Sequence, residues 1–226
     1  MRSTIEKETR KLQSRTLELE RRRFNWRNIA KPKIVSSCEE FIEQVRYSDY
    51  PFRLFWKQGS KTENYETIQL TACSNEIGIT EVHTEITQGG QVTTTEKRHE
   101  ESGASLVFSQ AVNGSISVMI YPYKSDLHGR VEDNIVLHHS LNPDNITRSL
   151  IKRSIKYFLM YCRCTSIYGL GCKPSLIESI KLSWLTFKDI RNKSKLMESI
   201  VKMHNNWGQL LVAAVLAFIV GYVTKT

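Results

Sequence analysis

An uncharged stretch lies near the end of this 226-residue chain, from Asn205 to Thr224. A helix of this length measures about 30 Å, which matches the hydrocarbon thickness of a bilayer. A helix of a soluble protein normally keeps one polar face for water, but no polar stripe occurs between Leu210 and Val223. The stretch therefore predicts a helix that crosses a membrane. The alternative interpretation is a fully buried last helix of a soluble domain.

The residues that flank this stretch indicate its orientation. Trp207 and Tyr222 lie near its two ends, where amphipathic rings favour the headgroup layer. Cations are more numerous before the stretch than after it, and cytoplasmic flanks carry such an excess. The lysines before it are Lys193, Lys195 and Lys202, and the one after it is Lys225. We therefore expect residues 207–223 to cross the membrane once, as a tail anchor, and residues 1–204 to lie in the cytoplasm.

Charge is distributed unevenly along the chain, whose formal net charge is +9. Residues 1–33 carry 11 Lys and Arg against 4 Glu, residues 34–145 carry 8 against 16 acidic residues, and residues 146–226 carry 13 against 3. The three segment charges are thus +7, −8 and +10. Cations near a membrane span explain the C-terminal excess, but they do not explain the N-terminal one. We expect the basic ends either to attract the acidic middle or to bind an external anion.

Sequence motifs for export, metal binding and catalysis are lacking. The first residues contain no apolar core of the kind that a secretory signal needs. Five cysteines form an odd set without framework spacing, which is typical of a reducing compartment. Cys162, Cys164 and Cys172 offer metal ligands, but no CxxC or spaced histidine pair completes a site. No phosphate loop, nucleophile elbow or HExxH motif occurs, so we expect no enzyme, no cofactor and no metal.

The N-terminal segment has a seven-residue apolar repeat. One heptad position is apolar, whereas the position four residues later is polar. This pattern makes a weak interface for a coiled coil of two isolated helices. Such a helix is predicted to pack on another domain, or to form a coiled coil once other contacts gather the chains. The apolar positions are Ile5, Leu12, Leu19 and Trp26, and the polar positions are Thr9, Thr16 and Arg23.

Cations alternate with aromatic residues where this segment ends, in "RRRFNWRNIAKPK". Arginines bind phosphates, and Phe24 and Trp26 offer rings on which a base can stack. The same composition describes a helix near anionic lipid, and a solvated helix end explains it as well. The candidate anion-binding residues here are Arg21, Arg22, Arg23 and Arg27.

The acidic middle of the chain consists of short runs with β-rich composition, separated by turn residues. Gly89-Gly90 and Asn113-Gly114 predict two hairpins, the second with a type I′ turn. The first hairpin is polar on both faces, so we expect it to project from the core or to pair with another chain. The predicted strands are "PFRLFW", "ETIQLTAC", "EIGITEVHTEIT", "QVTTTEKRH", "ASLVFSQA", "SISVMIYPY" and "NIVLHHS".

A helix is predicted after this sheet, in "NPDNITRSLIKRSIKYFLMYCRC". Arg148, Lys152 and Lys156 recur every four residues and form a cationic ridge, which is either a second anion site or a solvated face. Further on, "IKLSWLTF" at residues 180–187 alternates like a strand in its first half and is predicted to return to the sheet.

These patterns predict an α+β fold with three parts. Residues 1–33 form a basic, coiled-coil-like helix, residues 34–192 form a mostly antiparallel cytosolic α+β domain with packed helices, and residues 193–226 form a juxtamembrane helix and a single transmembrane helix. Small residues recur every four positions in the span, and this spacing lets helices approach closely in lipid. We therefore expect a homo-oligomer. The packing or pore face contains Gln209, Ala213, Ala217 and Gly221.

The order of "TRKLQSRTLELERRR", the strand-rich middle and "LLVAAVLAFIVGYV" resembles the layout of membrane effectors of bacterial antiphage systems, including the Hailong type. Those effectors are oligomers whose soluble domains bind a nucleotide or oligonucleotide signal and whose spans form a pore. The resemblance implies an ion channel or membrane-disrupting effector of antiviral defence in the bacterial inner membrane. It also implies a nucleotide or single-stranded nucleic acid ligand and a partner protein that makes or senses this signal. The alternatives are a non-conducting tail-anchored tether or scaffold, and a soluble nucleic-acid-binding protein.

Overall fold

The computed structural model describes residues 1–59, 66–86, 92–125, 127, 134–167 and 175–192. Its architecture is α+β, with a long N-terminal helix and antiparallel sheets, as the sequence predicts. Among the described residues, no helix is both long and apolar enough to cross a membrane. The predicted span at 207–223, with its packing face Gln209, Ala213, Ala217 and Gly221, lies outside the described residues.

A single uninterrupted helix forms the N-terminal part of the fold. Helix α1 covers Arg2–Asn25, a π-helical turn covers Trp26–Ala30, and helix α2 covers Lys31–Arg46. The wider turn accommodates Pro32, because a proline inside an α-helix removes one hydrogen bond and crowds the carbonyl four residues earlier. The Lys31 N–H accordingly donates to the carbonyl of Trp26, five residues back. The helix thus continues beyond residue 33, where we expected the first part to end.

In the described part of the chain, eight strands form two antiparallel sheets. Five of them form the main sheet in the order β1-β2-β5-β6-β8, and three form a second sheet in the order β3-β4-β7. All seven strands predicted in the acidic middle are confirmed, whereas the short strand β7 was not predicted. The strands are β1 Leu54–Gln58, β2 Thr67–Ala72, β3 Asn75–Ile86, β4 Val92–Ser102, β5 Ser105–Gln110, β6 Ile116–Tyr121, β7 Lys124–Ser125 and β8 Ile135–Leu141.

The hydrophobic core lies between one face of the main sheet and the helices. Alternate strand residues point to this face, and each fully buried aliphatic side chain contributes about 1.5–3 kcal/mol. Trp26 and Ala30 of the π-helical turn belong to the same core and are completely buried. The remaining fully buried members include Ile34, Cys38, Ile68, Leu70, Leu106, Phe108, Ile116, Val118, Ile120, Ile151 and Phe158.

Within the described residues, two long helices follow the main sheet. Helix α3 covers Arg148–Thr165, as predicted, and the hydroxyl of Thr147 caps it by accepting from the N–H of Leu150. Helix α4 covers Leu176–Lys188, so the predicted strand at 180–187 is wrong. A capping box decides the outcome, because Ser175 and Glu178 satisfy each other's backbone N–H groups and start a helix.

Both predicted hairpins form, but only the first has the predicted character. β3 and β4 pair in their own sheet, and residues 92–98 of β4 are exposed on both faces, as predicted for a projecting hairpin. The connection of β5 to β6 is not a type I′ turn. Gly114 has φ +75°, but Asn113 lacks the positive φ that type I′ requires, and Ala111 pairs with Ser115 across a three-residue loop. This loop holds Gly114 against α1.

Candidate anion-binding site

The predicted arginines of α1 are paired with carboxylates of the same chain. Arg21 donates to Glu18 at 2.8 Å and to Asp144 at 2.5 Å, while Arg22 donates to Glu18 at 2.9 Å. Hydrogen bonds from Arg21 and Arg22 lower the pKa of Glu18 to about 2. A hydrogen bond from Arg21 likewise lowers the pKa of Asp144. Both carboxyl groups are therefore charged at neutral pH and neutralise these arginines.

Arg23 and Arg27 also contact the folded domain. Arg23 donates to the carbonyl of Val112 at 3.3 Å in the β5–β6 loop. Arg27 lies 2.9 Å from a carboxylate oxygen of Glu66, which precedes β2. The basic N-terminal segment thus attracts the acidic middle of the chain, which is one of the two outcomes that the charge pattern predicts.

Glu66 connects three residues of the long helix. It accepts a hydrogen bond from Trp26 Nε1 at 2.7 Å, pairs with Arg27, and lies 3.6 Å from Lys31 Nζ. Trp26 is completely buried, so the expectation that its ring stacks on a nucleic acid base is wrong. Phe24 remains exposed on the outer side of the helix.

The cationic ridge of α3 divides into two parts. Arg148 lies 3.7 Å from Glu40 of α2, and both side chains are largely exposed. Lys152 and Lys156 make no ion pair within the described part of the chain. The opposite face of α3 is apolar and enters the core, so the ridge necessarily faces outward.

A groove between α3 and α4 brings Lys156 together with two cations that were not predicted. Lys156 and Arg163 come from α3, Lys181 comes from α4, and Tyr50 approaches from the chain that follows α2. Among the described residues, Glu178 is the one carboxylate that lines this groove, and Arg163 donates to it. The other lining residues are Tyr157, Leu159 and Met160.

The local electrostatics of the groove favour an anion. The backbone N–H of Ser175 and the guanidinium of Arg163 lower the pKa of Glu178, so this carboxylate is charged at neutral pH. It neutralises Arg163 and leaves the ammonium groups of Lys156 and Lys181 without a carboxylate partner in the described residues. Burial raises the pKa of Tyr50, whose hydroxyl therefore stays protonated. Two ammonium groups without a carboxylate partner are suited to a phosphate-bearing ligand.

The sequence showed only one side of this groove. Lys156 belongs to the predicted ridge, and Arg163 follows it on the same helix by about two turns. Lys181, in contrast, lies in a segment for which a strand was predicted. No spacing rule connects residues on two packed helices. The structure does not place Lys156 beside Arg21, Arg22 or Arg23, whose partners are Glu18, Asp144 and the β5–β6 loop.

Comparison of the chain with protein-family models, with curated proteins and with solved structures finds no match.

Proposed function

We propose that this chain is an oligomeric membrane protein, anchored through residues 207–223, whose cytosolic domain binds a phosphate-bearing ligand in the α3–α4 groove. The observation that carries the proposal is the meeting of Lys156, Arg163 and Lys181 on one open groove that contains a single carboxylate. An uncharged stretch long enough for a bilayer, in the same chain, supports the membrane part. The protein acts by binding and assembly, without catalysing a reaction.

The assembled spans are proposed to form a channel or to disrupt the membrane. The packing face contains Gln209, Ala213, Ala217 and Gly221. Apart from Gln209, a pore between such spans would be lined by Ala, Gly and Val, and a pore of this kind closes by dewetting. Ligand binding in the groove shifts the equilibrium between two arrangements of the spans. In this proposal the ligand is a nucleotide or a single-stranded oligonucleotide, which a partner protein makes or senses, and the membrane is the bacterial inner membrane.

Ligand binding is tested with the full chain in micelles that contain no anionic lipid. A labelled oligonucleotide and a labelled nucleotide should bind the parent protein, and binding should be lost in the variant Lys156→Ser with Lys181→Ser. Affinity for the oligonucleotide should fall with salt by a log-log slope of about 0.7 per neutralised phosphate. The matched control is Lys152→Ser, because Lys152 is exposed on the same helix and does not line the groove.

A second set of variants decides between the groove and the N-terminal arginines. Arg21→Ser, Arg22→Ser and Arg23→Ser together break internal contacts, so we expect them to lower stability while binding persists. Loss of binding in this variant at unchanged stability would move the site to α1. Liposome leakage should then respond to added ligand in the parent protein and not in the groove variant.

The second candidate function is a non-conducting tether or scaffold held at the membrane by the same span. The pairing of Arg21 and Arg27 with Asp144 and Glu66 favours it, because these cations then serve the fold and need no external ligand. This candidate predicts no ion leakage under any ligand condition. For both candidates, deletion from Trp207 onward should release a folded protein into the soluble fraction, and a full-length protein already soluble without detergent would refute both.

A further inference from the structure

Helix α4 exposes a continuous apolar stripe to solvent. Leu176 is 83% exposed, Ile180 is 68% exposed and Trp184 is 60% exposed. Ile177 and Phe187 extend the same surface, and the rings of Trp184 and Phe187 stack with their centroids 5.6 Å apart. Single exposed apolar residues are ordinary, but a contiguous apolar surface on one helix marks a place where something else binds.

The stripe lies on the side of α4 that faces away from the domain. Leu185 is buried against the core, Leu182 packs beside it, and Glu178 contacts Arg163 of α3. These three positions lie on one side of a helix with 3.6 residues per turn, whereas Leu176, Ile180, Trp184 and Phe187 recur every three or four residues on the opposite side. The apolar stripe is therefore not a misplaced part of the core.

Cations border the stripe, and the nearby carboxylates are already paired. Lys181 and Lys188 follow Ile177 and Trp184 by four residues, so each lysine lies beside a stripe residue. The acidic groups in this part of the described structure are Glu178 and Asp189, and these pair with Arg163 and Arg191. A second copy of α4 would bring lysines near lysines, because both carboxylates in this part of the described structure are already paired with arginines. The charge therefore favours an anionic surface as the occupant.

The chain after α4 keeps this helix close to the proposed membrane span. Residues 193–204 separate the described structure from the uncharged stretch. Twelve residues reach at most about 40 Å even when fully extended. Helix α4 is thus restricted to the neighbourhood of the bilayer surface whenever residues 207–223 cross the bilayer.

We infer that α4 lies in the interface of an anionic bilayer, with the stripe toward the acyl chains and Lys181 and Lys188 toward lipid phosphates. A helix with aromatic and aliphatic residues on one side and lysines at its border has the composition of an interfacial helix. This inference rests on the proposed anchoring, but not on the ligand of the α3–α4 groove. Lys181 borders both the groove and the stripe, whereas Lys188 borders only the stripe and Lys156 lines only the groove.

The test measures whether lipid contacts Trp184 in the full chain. The parent protein and Trp184→Phe are reconstituted into vesicles of equal parts phosphatidylcholine and phosphatidylglycerol, with and without lipid brominated on the acyl chains. The difference between the two proteins isolates the emission of Trp184 from that of the other tryptophans. We expect this difference emission to be quenched by the brominated lipid. Quenching should weaken in Lys181→Ser with Lys188→Ser and in vesicles of phosphatidylcholine alone.

The matched control is Trp56→Phe, because Trp56 lies in β1 and is half-buried beside α2. The difference emission of Trp56 should be unaffected by brominated lipid. Unquenched Trp184 emission refutes the inference, and the wavelength of its emission maximum then identifies what surrounds Trp184. Red-shifted emission indicates that Trp184 is in water. Blue-shifted emission that disappears on dilution of the protein indicates that a second copy covers Trp184. Blue-shifted emission that persists on dilution indicates that residues 193–226 cover it. A chain that does not remain with the vesicles refutes the anchoring itself, so the two failures are distinguishable.

Discussion

Glu66 connects the long N-terminal helix to the sheet, and its replacement by Ala should destabilise the protein by about 1–4 kcal/mol. The carboxylate is largely buried and accepts from the indole of Trp26 at 2.7 Å. Leaving a buried donor without a partner costs about 1–3 kcal/mol. The half-exposed ion pair with Arg27 adds up to about 1 kcal/mol. Glu66→Gln keeps an acceptor for the indole and loses only the charge, so it should cost about 1–2 kcal/mol.

Thermal unfolding in neutral detergent, followed by near-ultraviolet circular dichroism, measures this effect. For a chain of this size, 1 kcal/mol corresponds to about 2–4 °C, so Glu66→Ala should lower the Tm by about 2–16 °C. The control is Glu43→Ala, because Glu43 pairs with Arg46 at 2.8 Å on the exposed side of α2 and should contribute less than about 1 kcal/mol. Equal Tm values for Glu66→Ala and Glu43→Ala would show that the long helix is not held at Glu66.

Three further predictions concern other contacts. Gly114→Ala should destabilise the protein more than Gly103→Ala. Both glycines have a positive φ, but a Cβ at Gly114 would lie 2.9 Å from Arg22 Cβ, whereas a Cβ at Gly103 would contact nothing. Equal Tm losses for the two variants would contradict this close approach. Burial opposes ionisation of Asp189, but hydrogen bonds from Arg191 and from the Val136 N–H outweigh this effect and lower the pKa of Asp189. Asp189→Asn should therefore reduce the Tm at pH 7, and the reduction should shrink as the pH falls below 3.8. A Tm difference that does not change with pH would contradict this prediction. Ala217→Leu should weaken assembly in detergent, measured by light scattering, while membrane insertion persists, and an unchanged oligomer would exclude this packing face.

The strands were predictable because their signals are local. Alternating apolar residues and turn residues such as Asn113 and Gly114 lie within a few positions of each other. Strands β5 and β6 on either side of this turn pair without a shift in register. The type I′ turn was not predicted correctly, because a dipeptide does not determine loop length. A third residue in the loop lets Gly114 alone take the left-handed conformation.

Helix α4 and the α3–α4 groove could not be predicted from the spacing of residues in the sequence. The residues of α4 are apolar on nearly every side, so the segment fits the period of a strand as well as that of a helix, and its capping box settles the matter. Lys156 and Lys181 meet only because α3 and α4 pack together. Trp26 belongs to the apolar heptad column, which predicts packing on another domain, but its neighbouring arginines also suggested base stacking. Its complete burial at the π-helical turn agrees with the first interpretation and not with the second.

The continuity of α1 and α2 through the π-helical turn makes the first part of the chain a lever. Residues 2–17 are exposed along their whole length, and α1 is firmly held only near Arg21, Arg22 and Trp26. A rigid helix of 24 residues is about 36 Å long, so a rotation of about ten degrees at Trp26 displaces its free tip by about 6 Å. A small change in packing at Glu66 would therefore appear as a displacement of several ångströms at the first turn of α1.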